Sequence, residues 1–165
     1  MKKLSMLFGG TMFLVLLLLL TAFKPLPPNV ASANGQGSLL NPGFNGRVQH
    51  FSFHALRDAS GNVTGSWESK SPGQEIRTHG TITCLTILPD GKTAILTGIV
   101  TQKNGEGFPG SYDVGSPIWF KVVDNGEGAK SAEDEFTDYY SSGAPCNNFN
   151  VPIYTILSGN IQVKP

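Results

Sequence analysis

The segment Thr78–Thr101 constrains the fold of this chain more than any other part of the sequence. Two runs rich in apolar residues and threonine flank the turn Pro89–Gly91. Proline fixes φ near the value that a turn needs, and glycine adopts a positive φ without steric cost. The segment therefore predicts a β-hairpin.

The register of this hairpin decides which side chains face inward. A three-residue loop pairs Leu88 with Lys92, whereas a two-residue loop sets Cys84 opposite Thr97 and mixes apolar and polar residues on each face. Because a one-residue slip moves every side chain to the other side, we expect the first register. Its inward set is Gly80, Ile82, Cys84 and Thr86 opposite Val100, Gly98, Leu96 and Ala94.

Short strand patterns separated by turn residues continue through the rest of the chain. Arg47–Arg57 alternates phenylalanine with histidine and serine, and Pro117–Asp124 is another alternating apolar run. About eight strands result, with no helix of credible length. This pattern predicts an all-β fold, a small antiparallel barrel, with a two-sheet β-sandwich as the alternative. Pairing of Gly159–Lys164 with the first strand would remove an exposed edge, which favours the barrel.

The N-terminus has the pattern of a secretory signal peptide. Lys2 and Lys3 precede the apolar run Met6–Phe23, and the small-x-small motif Ala31–Ala33 follows. Residues 1–33 are therefore predicted to be a signal peptide that is cleaved after Ala33. The alternative is an uncleaved membrane anchor, because the run is close to the ~18 residues of a membrane span. A secreted or extracytoplasmic location is expected.

The mature chain is predicted to be one domain. Residues 34–45 are rich in glycine and asparagine and are expected to form a flexible lead-in, and residues 46–165 are expected to form the all-β domain. The signal peptide contains three lysines and no acidic residue, so 9 basic residues (12 − 3) remain against 12 acidic ones. No basic stripe is present, which argues against nucleic acid as a partner. Membrane contact is expected only through an uncleaved N-terminal segment.

Cys84 and Cys146 are the only cysteines. In an oxidising compartment a bond between them is the expected state, and free thiols are the alternative. Closing a loop of this length would stabilise the fold by about 4 kcal/mol in the chain-entropy model. No local motif marks either cysteine as a nucleophile.

Acidic residues cluster after the strand Pro117–Asp124. Calcium takes about six to eight oxygen ligands, and an acidic, glycine-rich loop can wrap around such an ion. The alternative is a solvated turn whose side chains bond their own backbone. No cofactor is expected, with calcium as the alternative. The candidate ligands are Asp124, Asn125, Glu127 and Asp134.

Four aromatic residues are candidates for the wall of a ligand cavity. In a lipocalin-like barrel they would surround a small apolar ligand, although such rings are more often ordinary core. The four are Phe51, Phe53, Trp67 and Phe120.

The histidines are a weaker candidate for a site. His50 and His54 lie about 13 Å apart if they share a strand, which is too far for one zinc ion, so at most one could join His79. Separate histidines on the surface are favoured. In a small barrel isomerase or cyclase, the general base would be His54, His79 or Glu75.

Several short sequence blocks are distributed along the mature chain. They are FSFHA at Phe51–Ala55, HGTITCL at His79–Leu85, FKVVDNGEG at Phe120–Gly128, the late Cys146, and GNIQV at Gly159–Val163. Together they resemble a poorly characterised family of exported bacterial all-β domains. The resemblance implies a secreted, one-domain β fold with a pair formed by Cys84 and Cys146, and it implies no reaction or ligand.

The leading functional hypothesis is an exported, non-catalytic domain that binds a ligand or contributes to the cell surface. The sequence has no nucleophile-elbow serine and no glycine-rich phosphate loop leading into a helix. The alternatives are the lipocalin-like carrier and, third, the small barrel isomerase or cyclase. Because one fold serves many functions, the choice among them depends on the site.

Overall fold

Alternating apolar and polar residues build a single antiparallel sheet in the computed structural model. The model describes residues 29–41, 46–71, 75–105, 112–128, 130–141, 146–147 and 150–165. The strands are β1 (Asn29–Asn41), β2 (Arg47–Asp58), β3 (Val63–Ser71), β4 (Ile76–Ile87), β5 (Thr93–Asn104), β6 (Pro117–Val123), β7 (Glu135–Phe136), β8 (Tyr154–Thr155) and β9 (Ser158–Lys164).

The nine strands follow the order β8-β7-β6-β5-β4-β3-β2-β1-β9 across one sheet. The sheet curls into a half-barrel whose concave side holds the core, so the all-β, barrel-like prediction is confirmed and the two-sheet sandwich is not formed. No helix occurs among the described residues. The last strand pairs with the first, as expected, but that first strand is β1 rather than Arg47–Arg57.

Strand β1 corrects the expectation of a flexible lead-in. Residues 34–41 pair with β2 along their length, and residues 32–38 pair with β9 on the other side; residues 42–45 lie outside the described part. Two glycines in this segment suggested a loop in the sequence analysis. In the structure they leave space for aromatic rings of β2. A Cβ at Gly35 would lie 2.7 Å from a ring carbon of Phe53, and one at Gly37 would lie 2.9 Å from Phe51.

The predicted hairpin register holds only in the middle of the β4–β5 pair. Gly80 pairs with Val100 and Ile82 with Gly98, as expected. A bulge between Ile82 and Cys84 then shifts the register by one, so that Cys84 lies opposite Thr97. The predicted inward position of Cys84 is therefore wrong. The bulge turns the fully buried Leu85 toward the core in its place.

Asp90 fixes the hairpin loop, which closes through a hydrogen bond from the Leu88 N–H to the Thr93 carbonyl. The Asp90 carboxylate accepts hydrogen bonds from the Thr93 hydroxyl at 2.6 Å and from the Thr93 and Lys92 N–H groups at 2.9 and 3.0 Å. The Thr93 hydroxyl is the main cause that lowers the pKa of Asp90. Ionised Asp90 is thus the form that the loop prefers.

This arrangement predicts a pH dependence. Since the folded-state pKa of Asp90 lies below its unfolded-state value, the contribution to stability is complete above the unfolded-state value and is lost as the pH falls through the folded-state value. Replacing Thr93 with valine should raise the pKa of Asp90, because the largest stabilising hydrogen bond is removed. Carbon-detected NMR titration of both proteins would measure the two midpoints. Equal midpoints would contradict this assignment.

Aromatic rings fill the concave side of the sheet. The ring centroids of Phe51 and Phe136 are 4.3 Å apart, those of Phe120 and Tyr139 are 5.0 Å apart, and those of Trp67 and Tyr139 are 5.0 Å apart. Such pairs add about 0.5–1.5 kcal/mol each beyond the area that they bury. The core is therefore a continuous stack from β2 and β3 to the residues around β7.

Gly80 is a tightly packed point in this core. A Cβ at Gly80 would overlap the Ile99 carbonyl and the indole of Trp67, whose buried N–H has no hydrogen-bond partner among the described residues. Replacing Gly80 with alanine should lower the free energy of unfolding by about 2 kcal/mol, since neither a backbone carbonyl nor a buried indole can move away freely. Chemical denaturation would measure the change. The exposed neighbour Thr81 is the control, and T81A should change it far less; equal effects would rule out the packing argument.

Candidate functional site

A polar groove crosses the convex face of the half-barrel from β9 to β4. Its volume is about 540 Å³, and it is open to solvent along its length. We use the name polar groove for this depression. Its polar lining consists of Asn34, Gln36, Ser52, His54, Ser66, Glu68, His79, Asn160 and Gln162.

The register of the strands places five polar side chains in line at the centre of the groove. Gln36 lies opposite Asn160 on one side and Ser52 on the other. Ser52 lies opposite Glu68, which in turn lies opposite His79. Residues directly opposite each other in an antiparallel sheet point to the same side, with Cβ atoms about 4.5–5.5 Å apart. These five side chains therefore form one continuous row, the central row, perpendicular to the strands.

The glycines of β1 explain why this face is depressed. Because Gly35 and Gly37 have no Cβ, the backbone of β1 approaches the rings of Phe51 and Phe53 beneath it. Gly35 lines the polar groove, and Gly37 lines an adjoining depression.

Two smaller depressions join the polar groove at Glu68. One has a volume of about 350 Å³ and reaches His50 and Lys70. The other has a volume of about 140 Å³ and reaches Arg77. Glu68 lines all three, so it stands at their junction.

Glu68 is held from both sides of the sheet. The Arg77 guanidinium donates to its carboxylate at 2.6 Å, and this hydrogen bond is the main cause that raises the pKa of Arg77. Beneath the sheet, the Tyr139 hydroxyl donates to the Glu68 backbone carbonyl at 3.1 Å. The carboxylate charge is thus matched locally by one cation, and its backbone is tied to the aromatic core.

All three histidines lie on the convex face. His54 Nδ1 is 3.1 Å from the Ser66 hydroxyl, and His79 Nδ1 is 3.3 Å from the Thr101 hydroxyl. His50 borders the adjoining depression. Within the described ranges, no group of three or more histidine, cysteine or acidic side chains is placed to hold a metal ion.

Among the described residues, no hydroxyl, imidazole and carboxylate follow one another in the order that a serine nucleophile requires; His54 lies beside the Ser66 hydroxyl but bonds no acid. In the central row Glu68 stands between Ser52 and His79, whereas a serine nucleophile needs the imidazole next to its hydroxyl and the acid behind the imidazole. Glu75, the other candidate for a general base, is exposed in the turn before β4 and does not line the groove.

The four aromatic residues proposed as a cavity wall contact one another and two further rings. Phe51, Phe53, Trp67 and Phe120 are each at most 5% exposed. Phe136 and Tyr139 lie between them, with centroid distances of 4.3 to 6.2 Å to their neighbours. The space that a small apolar ligand would need between these rings is filled by protein. Phe136 and Tyr139 were not among the candidates from the sequence, and β7, which carries Phe136, is only two residues long.

The acidic loop after β6 bonds the edge of β9. Asp134 accepts a hydrogen bond from the Ile161 N–H at 2.7 Å, and Asp124 accepts one from the Val163 N–H at 2.9 Å. Asp134 also accepts the Asn125 N–H at 2.8 Å. We call Asp124 and Asp134 the carboxylate clasp. At the open edge of β9, two of the candidate calcium ligands thus accept the hydrogen bonds that a neighbouring strand would otherwise accept.

Glu127 connects the same loop to the polar groove. Its carboxylate accepts hydrogen bonds from the side-chain amides of Asn160 at 2.9 Å and Gln162 at 3.1 Å. Both hydrogen bonds lower the pKa of Glu127, and the bond from Gln162 has the larger effect. The fourth candidate calcium ligand, Asn125, donates its side-chain amide to the Glu133 carbonyl. Glu127 therefore orients two amides of the groove.

A disulfide joins Cys84 and Cys146, so the predicted bond is confirmed. The Cα atoms are 6.0 Å apart, and the bond closes a loop with a sequence separation of 62. The Thr86 hydroxyl donates to the Cys146 carbonyl at 2.9 Å beside it. A disulfide-bonded pair is compatible with an extracytoplasmic protein.

Comparison with known proteins gives no assignment for this fold and site: no protein-family model, curated protein or solved structure matches the chain. In the part of the chain that the structure describes, no helix has the length and apolar character needed to cross a bilayer. The fold and the site therefore define a disulfide-bonded, all-β half-barrel with a polar groove on its convex face.

Sequence analysis missed most of this groove. It singled out His54 and His79 but not the amides on either side of them. The period-two placement of Asn34 and Gln36 in β1, and of Asn160 and Gln162 in β9, was visible as a pattern. That pattern could have been used only if residues 34–41 had been recognised as a strand.

Proposed function

We propose that the protein is an exported, non-catalytic binding domain whose ligand lies in the polar groove. The observation that carries the proposal is a set of unpartnered polar groups at the centre of the groove. The side chains of Asn34, Gln36 and Ser52 form no hydrogen bond with any described residue. Carboxamides and hydroxyls both donate and accept hydrogen bonds, so these groups are available to a ligand.

Rigidity of the surroundings supports binding at this place. Neighbouring groove residues are already oriented, His54 by Ser66, Glu68 by Arg77, and the amides of β9 by Glu127. All of them project from paired strands rather than from loops. A ligand that meets a pre-organised surface loses less free energy to the ordering of side chains.

Export is the second part of the proposal. It is supported by the apolar run Met6–Phe23 after two lysines, by the disulfide, and by the resemblance to exported bacterial domains. A contact with the membrane is proposed only for a form in which the N-terminal segment stays attached. Residues 1–28 lie outside the described part of the structure.

The proposed cleavage after Ala33 has a structural consequence. It would remove Asn29–Ala33 from β1, including Ala31 and Ala33, which are 3% and 0% exposed. Because Ala33 pairs with both Ala55 and Val163, a chain beginning at Asn34 should unfold at a lower temperature than one beginning at Asn29. Intact mass of the exported protein locates the cut, and thermal unfolding of the two forms measures the difference. Equal unfolding temperatures would mean that residues 29–33 contribute nothing to the fold.

NMR titration with a library of small polar compounds and oligosaccharides tests the binding proposal. Backbone amide shifts should change for residues of the central row and should saturate with ligand concentration. Replacing Ser52 with tryptophan fills the groove and should abolish these shifts. Thr64, exposed on β3 outside the groove lining, supplies the matched control T64W. A library that shifts no residue of the groove, or equal binding by S52W and wild type, would end the proposal.

A further inference from the structure

We propose that the ligand of the polar groove is an anionic oligosaccharide, a chain of hydroxyl-rich units that carries carboxylate or phosphate groups. This inference rests on the proposed function and specifies its ligand. Three properties of the groove carry it: the chemistry of its polar side chains, its length across the strands, and one unpaired cation beside it.

The side chains at the β1–β9 end of the groove match the hydroxyl groups of a sugar. Asn34 lies opposite Gln162, and Gln36 lies opposite Asn160, so four carboxamides form a two-by-two array. Each carboxamide offers two donor hydrogens and one acceptor oxygen, and a hydroxyl offers one donor and two lone pairs. Glu127 holds the two amides of β9 by their nitrogen atoms, which leaves their oxygens as acceptors. An array of this kind recognises groups that both donate and accept.

The length of the groove favours a chain over a single small molecule. The central row crosses five strands, from Asn160 on β9 to His79 on β4. At the usual spacing between strands, these four intervals extend over about 19 Å. The adjoining depression shares Gln36, Ser52 and Glu68 with the groove, so the surface continues sideways to His50 and Lys70.

Among the described residues the groove offers no aromatic ring face for stacking, which argues that the ligand is charged. The two aromatic residues at the groove, Phe53 and Trp67, are 5% and 1% exposed, and their rings pack into the core. A sugar can therefore gain little from an apolar ring face here, and the hydrogen bonds that it makes replace those to water at only a small net gain each. A contact between an ionised group of the ligand and a cation of the protein is the contribution that remains.

Lys70 is the group that supplies this contact. It is exposed, lines the adjoining depression, and has no ion pair or hydrogen bond with any described residue. Its neighbours across the strands are His50 and Arg77. Arg77 is engaged by Glu68, so within the described part of this surface the Lys70 ammonium is an unpaired positive charge. An anionic group on the chain would pair with Lys70 while hydroxyls on the chain contact the amides.

Titration with hexagalacturonate, maltohexaose and inorganic phosphate tests the inference. Hexagalacturonate should shift the amide resonances of the central row and bind about fivefold more tightly than maltohexaose, and its affinity should fall as salt is added. Inorganic phosphate alone should shift the amide resonances of residues near Lys70. It should not shift the resonances of the four residues that form the carboxamide array. Replacing Lys70 with glutamine should weaken hexagalacturonate about fivefold, the effect of losing one exposed charge contact. Lys92, in the hairpin loop, supplies the control K92Q with the same change of net charge, and it should bind as the wild type does.

Each result has a defined meaning. Equal affinities for hexagalacturonate and maltohexaose, or equal affinities of wild type and K70Q for hexagalacturonate, would overturn the inference while leaving the proposed groove in place. Saturation of the same shifts by inorganic phosphate would mean a simple anion site and would also overturn it. If neither these probes nor the wider library shifts the groove, the proposed function fails together with the inference.

Discussion

Replacing Asp134 with alanine should lower the free energy of unfolding by about 3 kcal/mol, because the buried N–H group of Ile161 and the partly buried N–H group of Asn125 lose their acceptor at once. Asp134 is 5% exposed and accepts hydrogen bonds from the N–H groups of Ile161 on β9 and Asn125 in the loop after β6. With alanine present, water does not reach the buried Ile161 N–H without disturbing the seam between β9 and the strands β6 and β7. The expected result is a large loss of stability from one side chain.

Chemical denaturation of D134A measures this loss, and hydrogen exchange locates it. Exchange should accelerate first at the Ile161 and Val163 amides. The neighbouring Glu133 is the matched control, because its side chain is exposed and it contributes only its carbonyl to the loop. E133A should therefore be close to the wild type. A D134A protein as stable as E133A would show that the carboxylate clasp does not close the sheet.

Removing the disulfide should have an effect of similar size. The chain-entropy model gives a loss of about 4 kcal/mol for the double substitution Cys84→Ser with Cys146→Ser, since the unfolded chain regains the freedom of a long loop. The bond fastens residue 146, which lies in the connection between β7 and β8, to β4. That connection should show the largest gain in protease sensitivity.

Denaturant titration of the oxidised wild type, the reduced wild type and the double serine variant measures the contribution of the disulfide. The reduced wild type and the variant should agree, because both lack the covalent bond. A loss below about 1 kcal/mol would mean that the unfolded chain is already compact around this loop. Disagreement between the two would point to a specific role of the serine or thiol groups instead.

The fold class could be predicted from the sequence because alternation and turn residues are local signals. Phe51 and Phe53 alternate with polar residues along β2, and glycines mark several connections. Strand β1 was not predicted because glycines such as Gly35 and Gly37 give this segment the composition of a loop. Their value to the fold lies in contacts with rings on another strand, and such contacts are not visible in a single segment.

The hairpin register was predictable only in part for a similar reason. Apolar matching selects the pairing of Ile82 with Gly98, and the structure agrees. The structure has a bulge before Cys84 and a loop longer than the one assumed, in which Asp90 accepts hydrogen bonds from Lys92 and Thr93. The alternation rule therefore does not hold for the last residues of the strand.

The candidate site was the least predictable part. The four proposed calcium ligands were recognised as a cluster, but their bonds to Ile161, Val163 and the amides of β9 require knowledge of how the barrel closes. The groove needs the same knowledge, since its rows combine residues from five strands. Sequence patterns predict the strands, whereas the site depends on the register between the strands.

The carboxylate clasp also affects how this protein behaves toward copies of itself. An exposed strand edge offers free N–H groups onto which another molecule can add a strand, and sheets extended in this way aggregate. On β9 the N–H groups of Ile161 and Val163 are already taken by Asp134 and Asp124. A second chain would meet two occupied donors and two negative charges there. The loop that closes the sheet therefore also protects the domain from polymerisation through this edge.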